Sequence, residues 1–180
     1  MRYVTDSKSY YLRFLHERNY FMIFLKNLFK KDNVYKKVNY YSPDGYYKLC
    51  YPKGWVTEYN NDTSEFYNPN EKSTFRITYM KMERKSNPSK AMDTEEFIKM
   101  YLKDHDHAVE KAYPTKRTVY YTEEASEENH ELIIYYWLTI QNNTLLNCNY
   151  TILKADKRTE KADREYLLVE DMINSIEILK

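Results

Sequence analysis

Between residues 41 and 82, short hydrophobic runs alternate with polar residues and are interrupted by Pro, Gly, Asn and Asp. A period of two is typical of half-buried β-strands, and clusters of these breaking residues are typical of the turns between them. The pattern predicts four short strands in an antiparallel meander, at residues 46–51, 55–59, 65–68 and 74–82.

The hydrophobic spacing then changes to that of a helix. Asp93 and Glu96 have the spacing of a capping box, in which side chains bond the first free amide groups of a helix. Hydrophobic residues follow at helical intervals as far as Ala112, and we expect Pro114 to end this helix. Three further strands are then predicted, at residues 117–122, 132–141 and 145–153.

The strand at 132–140 is hydrophobic at both alternating sets of positions. A strand of this kind lies inside a sheet and is covered on both faces. The order of elements predicts an α+β fold, a twisted antiparallel sheet covered by helices in an α/β/α sandwich. The chain closes with a strand at 175–179, preceded by a helix that is indicated by Ala162, Tyr166, Val169 and Ile173.

Residues 1–33 differ from the rest, because aromatic and aliphatic residues are interleaved with Arg and Lys. They predict a helical arm, followed by a connector at 34–40 and the domain at 41–180. We interpret the arm as a helix that packs on the domain or on a partner, since its hydrophobic residues surround most of the helix. A basic helix on a membrane surface is the alternative. Met22 is a second candidate for the translation start.

The balance of charge excludes a general attraction to nucleic acid or to anionic membranes. The 180 residues contain 28 Lys and Arg against 27 Asp and Glu, a formal net charge of +1. The apolar run at 20–25 is far shorter than the roughly 20 residues that cross a bilayer, and it lacks a signal-peptide cleavage pattern. Cys50 and Cys148 lie in apolar runs, as buried thiols of a reducing compartment do. The sequence therefore predicts a cytoplasmic protein.

The usual motifs of catalysis are missing from the sequence. Gly45 and Gly54 are the only glycines, too few for the usual phosphate-binding loop or dinucleotide-binding turn. No Gly-x-Ser-x-Gly motif is present. In the Asp-His-Asp-His run at 104–107, only Asp104 and His107 share a helix face, so we interpret the run as a polar helix end rather than a metal site. We predict no enzymatic activity, no cofactor and no metal.

Two groups of residues are candidates for contact with a partner. One is an acidic loop between two predicted strands, whose ordinary interpretation is a solvated hairpin and whose alternative is a dock for a basic partner. The other is aromatic, since the 21 tyrosines of the chain suit both half-buried strands and interfaces. The candidates are Glu123, Glu124, Glu127 and Glu128 in the loop, and Tyr135 and Trp137 on the central strand.

The sequence Tyr51-Pro52-Lys53-Gly54-Trp55 and the later Met172-Ile173-Asn174-Ser175-Ile176 resemble the opening turn and the closure of PsbP-like and Mog-like domains. The resemblance covers about residues 41–180. It implies their α/β/α sandwich fold and a non-catalytic role, because such domains include photosystem accessory proteins, Ran-binding proteins and bacterial adaptors. A bacterial cytoplasmic branch fits best, since the chain has no plastid transit peptide and no lipobox Cys.

We therefore predict a protein-binding module, a bacterial immunity or chaperone/adaptor protein that acts on a secreted effector or toxin. One alternative is a domain that binds a small molecule or lipid between sheet and helix, with the arm as a lid. The other is an enzyme whose catalytic residues are dispersed along the chain.

Overall fold

Ten β-strands form two antiparallel sheets in the residues that the computed structural model describes, which are 35–82, 92–141 and 143–179. The large sheet has the order β3 (Val56–Asn60), β4 (Thr63–Tyr67), β5 (Thr74–Lys81), β9 (Thr144–Leu153), β8 (His130–Gln141), β7 (Lys116–Glu127) and β6 (Val109–Tyr113). The small sheet has the order β1 (Lys37–Tyr41), β2 (Tyr47–Pro52) and β10 (Glu177–Ile178). The helices are α1 (Thr94–Asp104) and α2 (Glu160–Ser175), and a 3-10 turn spans Lys154–Asp156.

The main hydrophobic core lies between one face of the large sheet and a layer made of α2 and the small sheet. Trp137 of β8 is paired in register with Cys148 of β9, and Cys148 with Ile77 of β5, so their side chains share this face. Val169 and Met172 of α2 belong to the same buried cluster. We call this the inner face of the large sheet.

Helix α1 covers part of the opposite, outer face. Its Phe97 and Ile98 are buried with Val119 and Leu138, which face each other across β7 and β8. Strand β8 is therefore covered on both sides, as its two hydrophobic faces predict. This arrangement confirms the predicted α+β sandwich. No described helix is long and apolar enough to cross a membrane.

The two helices begin in different ways. Helix α2 begins after Thr159, whose hydroxyl accepts a hydrogen bond from the Ala162 amide at 3.2 Å. Asp93 is the N-cap residue of α1, but its side chain makes no capping bond. The Thr94 hydroxyl instead donates to the Ile140 carbonyl at 2.8 Å, which ties the start of α1 to the sheet.

The predicted extension of the first helix to Pro114 is wrong. Helix α1 ends at Asp104, and residues 109–113 are the edge strand β6, paired with Lys116–Tyr120 of β7. Pro114 therefore lies in a two-residue hairpin turn and does not end a helix. The isolated pattern of Val109 and Ala112 fits a helix, but backbone pairing with a long neighbouring strand outweighs it.

The predicted single sheet is two sheets, because the chain leaves the small sheet at the turn after β2. Gly54 has a φ of +100°, which favours glycine, and the Trp55 amide bonds the Pro52 carbonyl at 3.2 Å. The partly buried Trp55 packs against the main core. The turn thus passes the chain from β2 to β3, the edge of the large sheet.

The small sheet begins earlier than the predicted domain, since β1 starts at Lys37 within the segment predicted as a connector. The predicted arm at 1–33, with the candidate start at Met22, lies outside the described residues.

A buried hydroxyl cluster joins the two sheets. Tyr47 of β2 is 2% exposed and donates to the Ser64 hydroxyl of β4 at 2.6 Å. The Tyr40 hydroxyl of β1 lies 2.8 Å from the same oxygen. Ser64 is fully buried. One serine therefore satisfies two tyrosines that reach across the core.

We expect Ser64→Ala to lower the free energy of unfolding by about 2 kcal/mol, because it leaves the Tyr47 hydroxyl buried without its partner. Urea unfolding followed by circular dichroism measures the change. Adding Tyr47→Phe should recover part of the loss, since both partners are then apolar. Thr63→Ala is the matched control, because its hydroxyl pairs with Thr78 at 2.9 Å on the half-buried outer face. An equal loss in the control would contradict the assigned role of Ser64.

Candidate functional site

The predicted acidic loop is not a loop in the structure. Strand β7 continues through Glu123 and Glu124 to Glu127, and pairs with β8 along this whole length. Only Glu128 and Asn129 form the turn, with φ angles of 45° and 69°. Two positive φ angles in a two-residue hairpin match the right-handed twist of the strands, which is why the ladder continues so far. We call residues 121–134 the acidic hairpin.

The acidic hairpin has a strong local charge. Residues 122–131 contain five glutamates and no Lys or Arg. Lys154 pairs with Glu124 at 2.8 Å and with Glu131 at 3.7 Å, and its hydrogen bond lowers the pKa of Glu124. The remaining three, Glu123, Glu127 and Glu128, are exposed and have no ion pair with a described basic residue. The excess negative charge therefore faces solvent.

The same hairpin has a backbone edge that no described strand covers. Strand β6 pairs with β7 only up to Tyr120, where Val109 is its partner. From Tyr121 to Glu127, β7 is bonded to β8 on one side and to no described strand on the other. An edge of this kind leaves backbone donors and acceptors available to an added strand.

A group of stacked rings lies on the outer face at the base of the hairpin. Tyr121 stacks on Tyr136 with ring centroids 4.6 Å apart, and Tyr101 stacks on His105 at 4.0 Å. His107 contacts Tyr121 edge-on at 5.4 Å. The pKa of Tyr136 is raised by burial and then by the charge of Glu123, so this carboxylate lies beside the rings. Aromatic faces next to carboxylates suit a cationic side chain.

The other predicted contact residues, Tyr135 and Trp137, are placed in the core. They are 5% and 1% exposed and pack against Tyr166 of α2. Their alternation with the half-buried Ile134 and Tyr136 puts them on the inner face. The structure thus brings together the acidic candidates and separates them from these two aromatic ones.

The Asp-His-Asp-His run begins with Asp104, the last residue of α1, and continues into the turn that follows it. His105 lies 3.0 Å from the Tyr101 carbonyl through Nδ1 and is half-buried, whereas Asp106 and His107 are exposed. Within the described ranges, no three His, Cys, Asp or Glu side chains are placed to hold a metal ion.

Sequence reasoning missed two buried carboxylates on α2. Glu170 is 6% exposed and accepts hydrogen bonds from Lys111 at 2.5 Å, Tyr166 at 2.9 Å and Tyr113 at 3.0 Å. The Lys111 ammonium also lies 4.8 Å from the Tyr120 ring centroid. Burial and the Glu170 charge raise the pKa of Tyr113 and of Tyr166. The available signal for Glu170 was its core-facing helix position, four residues after Tyr166 and three before Ile173.

The second carboxylate lies beside a small cavity. Glu165 is 8% exposed, and its Oε2 accepts hydrogen bonds from Ser73 and from Tyr150, the latter at 2.9 Å. Its Oε1 is buried without a hydrogen-bond partner among the described protein groups. A cavity of about 120 Å³ is lined by Glu165, Ser73, Lys161 and Thr159 among others. It is too small for a lipid and lies at one end of α2.

Lys116 has the most perturbed amine among the described residues. Burial lowers its pKa from 10.5 to about 8, and its Nζ donates to the Ile176 carbonyl. A lysine with this pKa is reactive in an enzyme when it opens into a pocket. Here the amine binds the end of α2, and the two described cavities lie elsewhere. The interaction favours a structural role.

Comparison with known proteins places the chain in a family. The family described as "Domain of unknown function (DUF3805)" matches residues 35–180, which include all ten described strands. The chain belongs to this family. No curated protein matches the sequence significantly.

Solved structures share the fold of this family domain. A protein from Bacteroides thetaiotaomicron matches with a TM-score of 0.62 and 24% identity, over 79% of this chain and 48% of its own. This chain thus spans about half the length of that protein. The Ran-binding protein Mog1p of Saccharomyces cerevisiae matches with a TM-score of 0.51 and 13% identity, over 80% of this chain and 96% of its own. LpqN of Mycobacterium tuberculosis, involved in cell envelope biogenesis, matches with a TM-score of 0.52 and 11% identity, over 83% of this chain and 94% of its own. The predicted PsbP/Mog-like fold is confirmed.

For the Glu170 cluster of the family domain, we expect Lys111→Met to lower the free energy of unfolding by about 2–4 kcal/mol, because a buried carboxylate loses its cation. Adding Glu170→Leu should recover part of this loss. Lys48→Met is the control, since its ion pair with Glu177 is exposed and should contribute little to stability. Chemical denaturation measures all three, and equal losses for Lys111→Met and the control would contradict the assignment.

Lys116 gives the domain a pH dependence of known sign. Its pKa is lower in the folded state than in the unfolded state, so the charged amine destabilises the fold below pH 8. The penalty decreases as the pH rises through 8 toward 10.5. The stability of the wild type relative to Lys116→Met should therefore increase by about 1–2 kcal/mol between about pH 7 and 9.5, after allowance for partial solvent screening.

Denaturation series at several pH values measure this difference. Lys48→Met is again the control, because Glu177 raises the pKa of Lys48 and its contribution stays level over this range. A flat difference for Lys116→Met would show that the amine is not buried in the folded protein.

Proposed function

We propose that this protein is a non-catalytic protein-binding module whose contact surface is the acidic hairpin. The observation that carries the proposal is the edge of β7 from Tyr121 to Glu127, which combines exposed carboxylates with a backbone that no described strand pairs. Charged groups at the rim of an interface select a partner by complementary charge and speed its association. The partner should therefore present a basic surface.

The neighbouring rings support this assignment. Tyr121 and Tyr136 offer a half-buried aromatic surface beside Glu123. Tyrosine in such a position provides contact area at low entropic cost and is frequent in binding interfaces. Mog1p, which shares the fold, is a Ran-binding protein, so the fold serves protein binding in a relative. The arrangement combines an aromatic centre with an acidic rim.

The finer proposal is that the protein is a bacterial cytoplasmic immunity or chaperone/adaptor protein, with a secreted effector or toxin as its partner. It rests on the sequence resemblance to adaptor-type domains of this fold. Its test is the identity and chemistry of the captured protein. If that protein is toxic when expressed alone, co-expression of this chain should restore growth, and the hairpin variants described below should not.

The cavity beside Glu165 favours a second candidate function, the binding of a small polar ligand. Its volume of about 120 Å³ admits a group of a few heavy atoms, and its lining is rich in charged and hydroxyl side chains. The proposed lipid site between sheet and helix has less support. Described residues such as Tyr150, Val169 and Met172 fill that space.

We expect affinity capture with the tagged full-length protein to recover a partner that Glu123→Lys/Glu127→Lys loses. The reversal changes the hairpin from acidic to basic and should weaken binding of a basic partner at least about tenfold. Quantitative mass spectrometry of the captured proteins measures the ratio. Binding should also decrease as salt is raised.

The control is Glu58→Lys/Glu177→Lys, which changes the net charge by the same amount at exposed sites away from the hairpin and its rings, Glu58 being on β3 at the opposite edge of the large sheet. Both variants must unfold at the temperature of the wild type for the comparison to hold. Recovery of the same proteins by wild type and by the hairpin variant would overturn the proposed surface. If the control variant loses the same captured proteins to the same extent, net charge alone explains the result, and the proposed surface is again overturned.

A further inference from the structure

The direction of the backbone groups on the β7 edge that no described strand covers follows from the two hairpins of β7. Each is closed by a two-residue turn, so the closing pairs Tyr113↔Lys116 and Glu127↔His130 are hydrogen-bonded pairs. Hydrogen-bonded and non-bonded pairs then alternate along each ladder. Odd-numbered residues of β7 thus bond β8, and even-numbered residues face the β6 side.

Three residues therefore direct their amide and carbonyl groups away from the sheet, beyond the point where β6 stops. They are Thr122, Glu124 and Ser126, and all three are exposed. Their side chains lie on the inner face, whereas Glu123, Ala125 and Glu127 project to the outer face beside Tyr121. The edge thus offers about 20 Å of regular strand, enough for a segment of five to seven residues.

We propose that the partner contributes an extended segment with basic residues at alternate positions, which adds as a strand to the β7 edge. The inference rests on the proposed function and specifies its mode of binding. A strand placed beside β7 has one set of alternate side chains on the outer face, next to Glu123 and Glu127. Basic residues there form cross-strand pairs with these carboxylates.

The two faces of the hairpin differ in whether their glutamates already pair with a described cation. On the inner face, Glu124 is already paired with Lys154 at 2.8 Å. On the outer face, Glu123 and Glu127 have no described cation, and the Tyr121 and Tyr136 rings stack beside Glu123. The segment should therefore carry its charge on one face only, with Arg favoured at the position nearest the rings.

A second copy of this chain is a poor occupant of the same edge. Pairing two copies along β7 would place glutamates opposite glutamates, which is destabilising across strands. The alternation of charge selects a basic segment and disfavours self-association. A nucleic acid is disfavoured for the same electrostatic reason.

The test uses the full-length protein and a defined probe, an acetylated and amidated peptide of sequence Lys-Thr-Lys-Val-Lys-Thr-Lys with a fluorophore. Fluorescence anisotropy at low salt measures its binding. We expect Thr122→Pro to weaken binding at least about tenfold, because proline removes one outward amide without changing charge or the β8 ladder. Thr122→Val is the matched control and should bind as the wild type does.

A second measurement needs no change in the protein. Peptides that are N-methylated at alternate amides keep every charge but cannot donate hydrogen bonds from those positions. Methylation at one of the two alternating sets should abolish most binding, and methylation at the other should have little effect. This pattern distinguishes strand addition from a loss of folding in the proline variant.

The outcomes separate this inference from the proposed function. If the proline variant and both methylated peptides bind normally, while Glu123→Lys/Glu127→Lys does not bind, the contact is electrostatic and strand addition is overturned. If the charge reversal also binds normally, the hairpin is not the surface and the proposed function fails with it. Failure of the wild type to bind the alternating peptide at low salt would also overturn strand addition.

Discussion

The two-sided burial of β8 is the constraint on which the rest of the domain depends. A strand that is hydrophobic on both faces cannot remain in water on either side, so each face requires a separate cover. The inner face carries Tyr135 and Trp137 and is covered by α2. The outer face carries Leu138 and Ile140 and is covered by α1. The hydrophobic faces of β8 thus require a layer on each side of the large sheet. On the outer face, α1 covers only part of the length of β8.

The abundance of tyrosine imposes a second requirement, because every buried hydroxyl needs a partner. The fold meets it with a few shared acceptors. Ser64 serves two tyrosines between the sheets, Glu165 serves Tyr150, and Glu170 serves Tyr113 and Tyr166. Two buried carboxylates of α2 therefore accept hydrogen bonds from Tyr113 and Tyr150 of the large sheet and from Tyr166 of α2 itself. Because one acceptor can serve two hydroxyl groups, the core can bury several tyrosines and still give their hydroxyl groups hydrogen-bond partners.

Local patterns predicted the elements and the layers but not the pairing that decides edges. The pattern of hydrophobic positions identified β2 to β5 and β7 to β9, and intervals of three and four identified α2. The signal failed at β6, where five residues fit a helix in isolation and a strand beside β7. It also failed at Glu123 to Glu127, because a run of glutamates resembles a loop until a long β8 pairs with it. Strand partners are distant in sequence, so edges can be read only from the fold.

The same distinction separates the predicted contact residues. Tyr135 and Trp137 have side chains that suit an interface, but alternation along β8 places them against α2. The glutamates also have side chains that suit an interface, and because β6 ends at its pair with Tyr120, they lie on an edge that no described strand covers.

Exposed strand edges risk pairing with other chains, and charge on the edge is the usual protection against it. Protection and recognition need not be separate functions here. A row of carboxylates repels a second acidic edge and attracts a basic one, so the same residues can exclude self-association and admit a partner of opposite charge. Protection alone requires only charge on the edge. The stacked Tyr121 and Tyr136 beside Glu123 add an apolar contact that protection does not require, and this addition favours recognition.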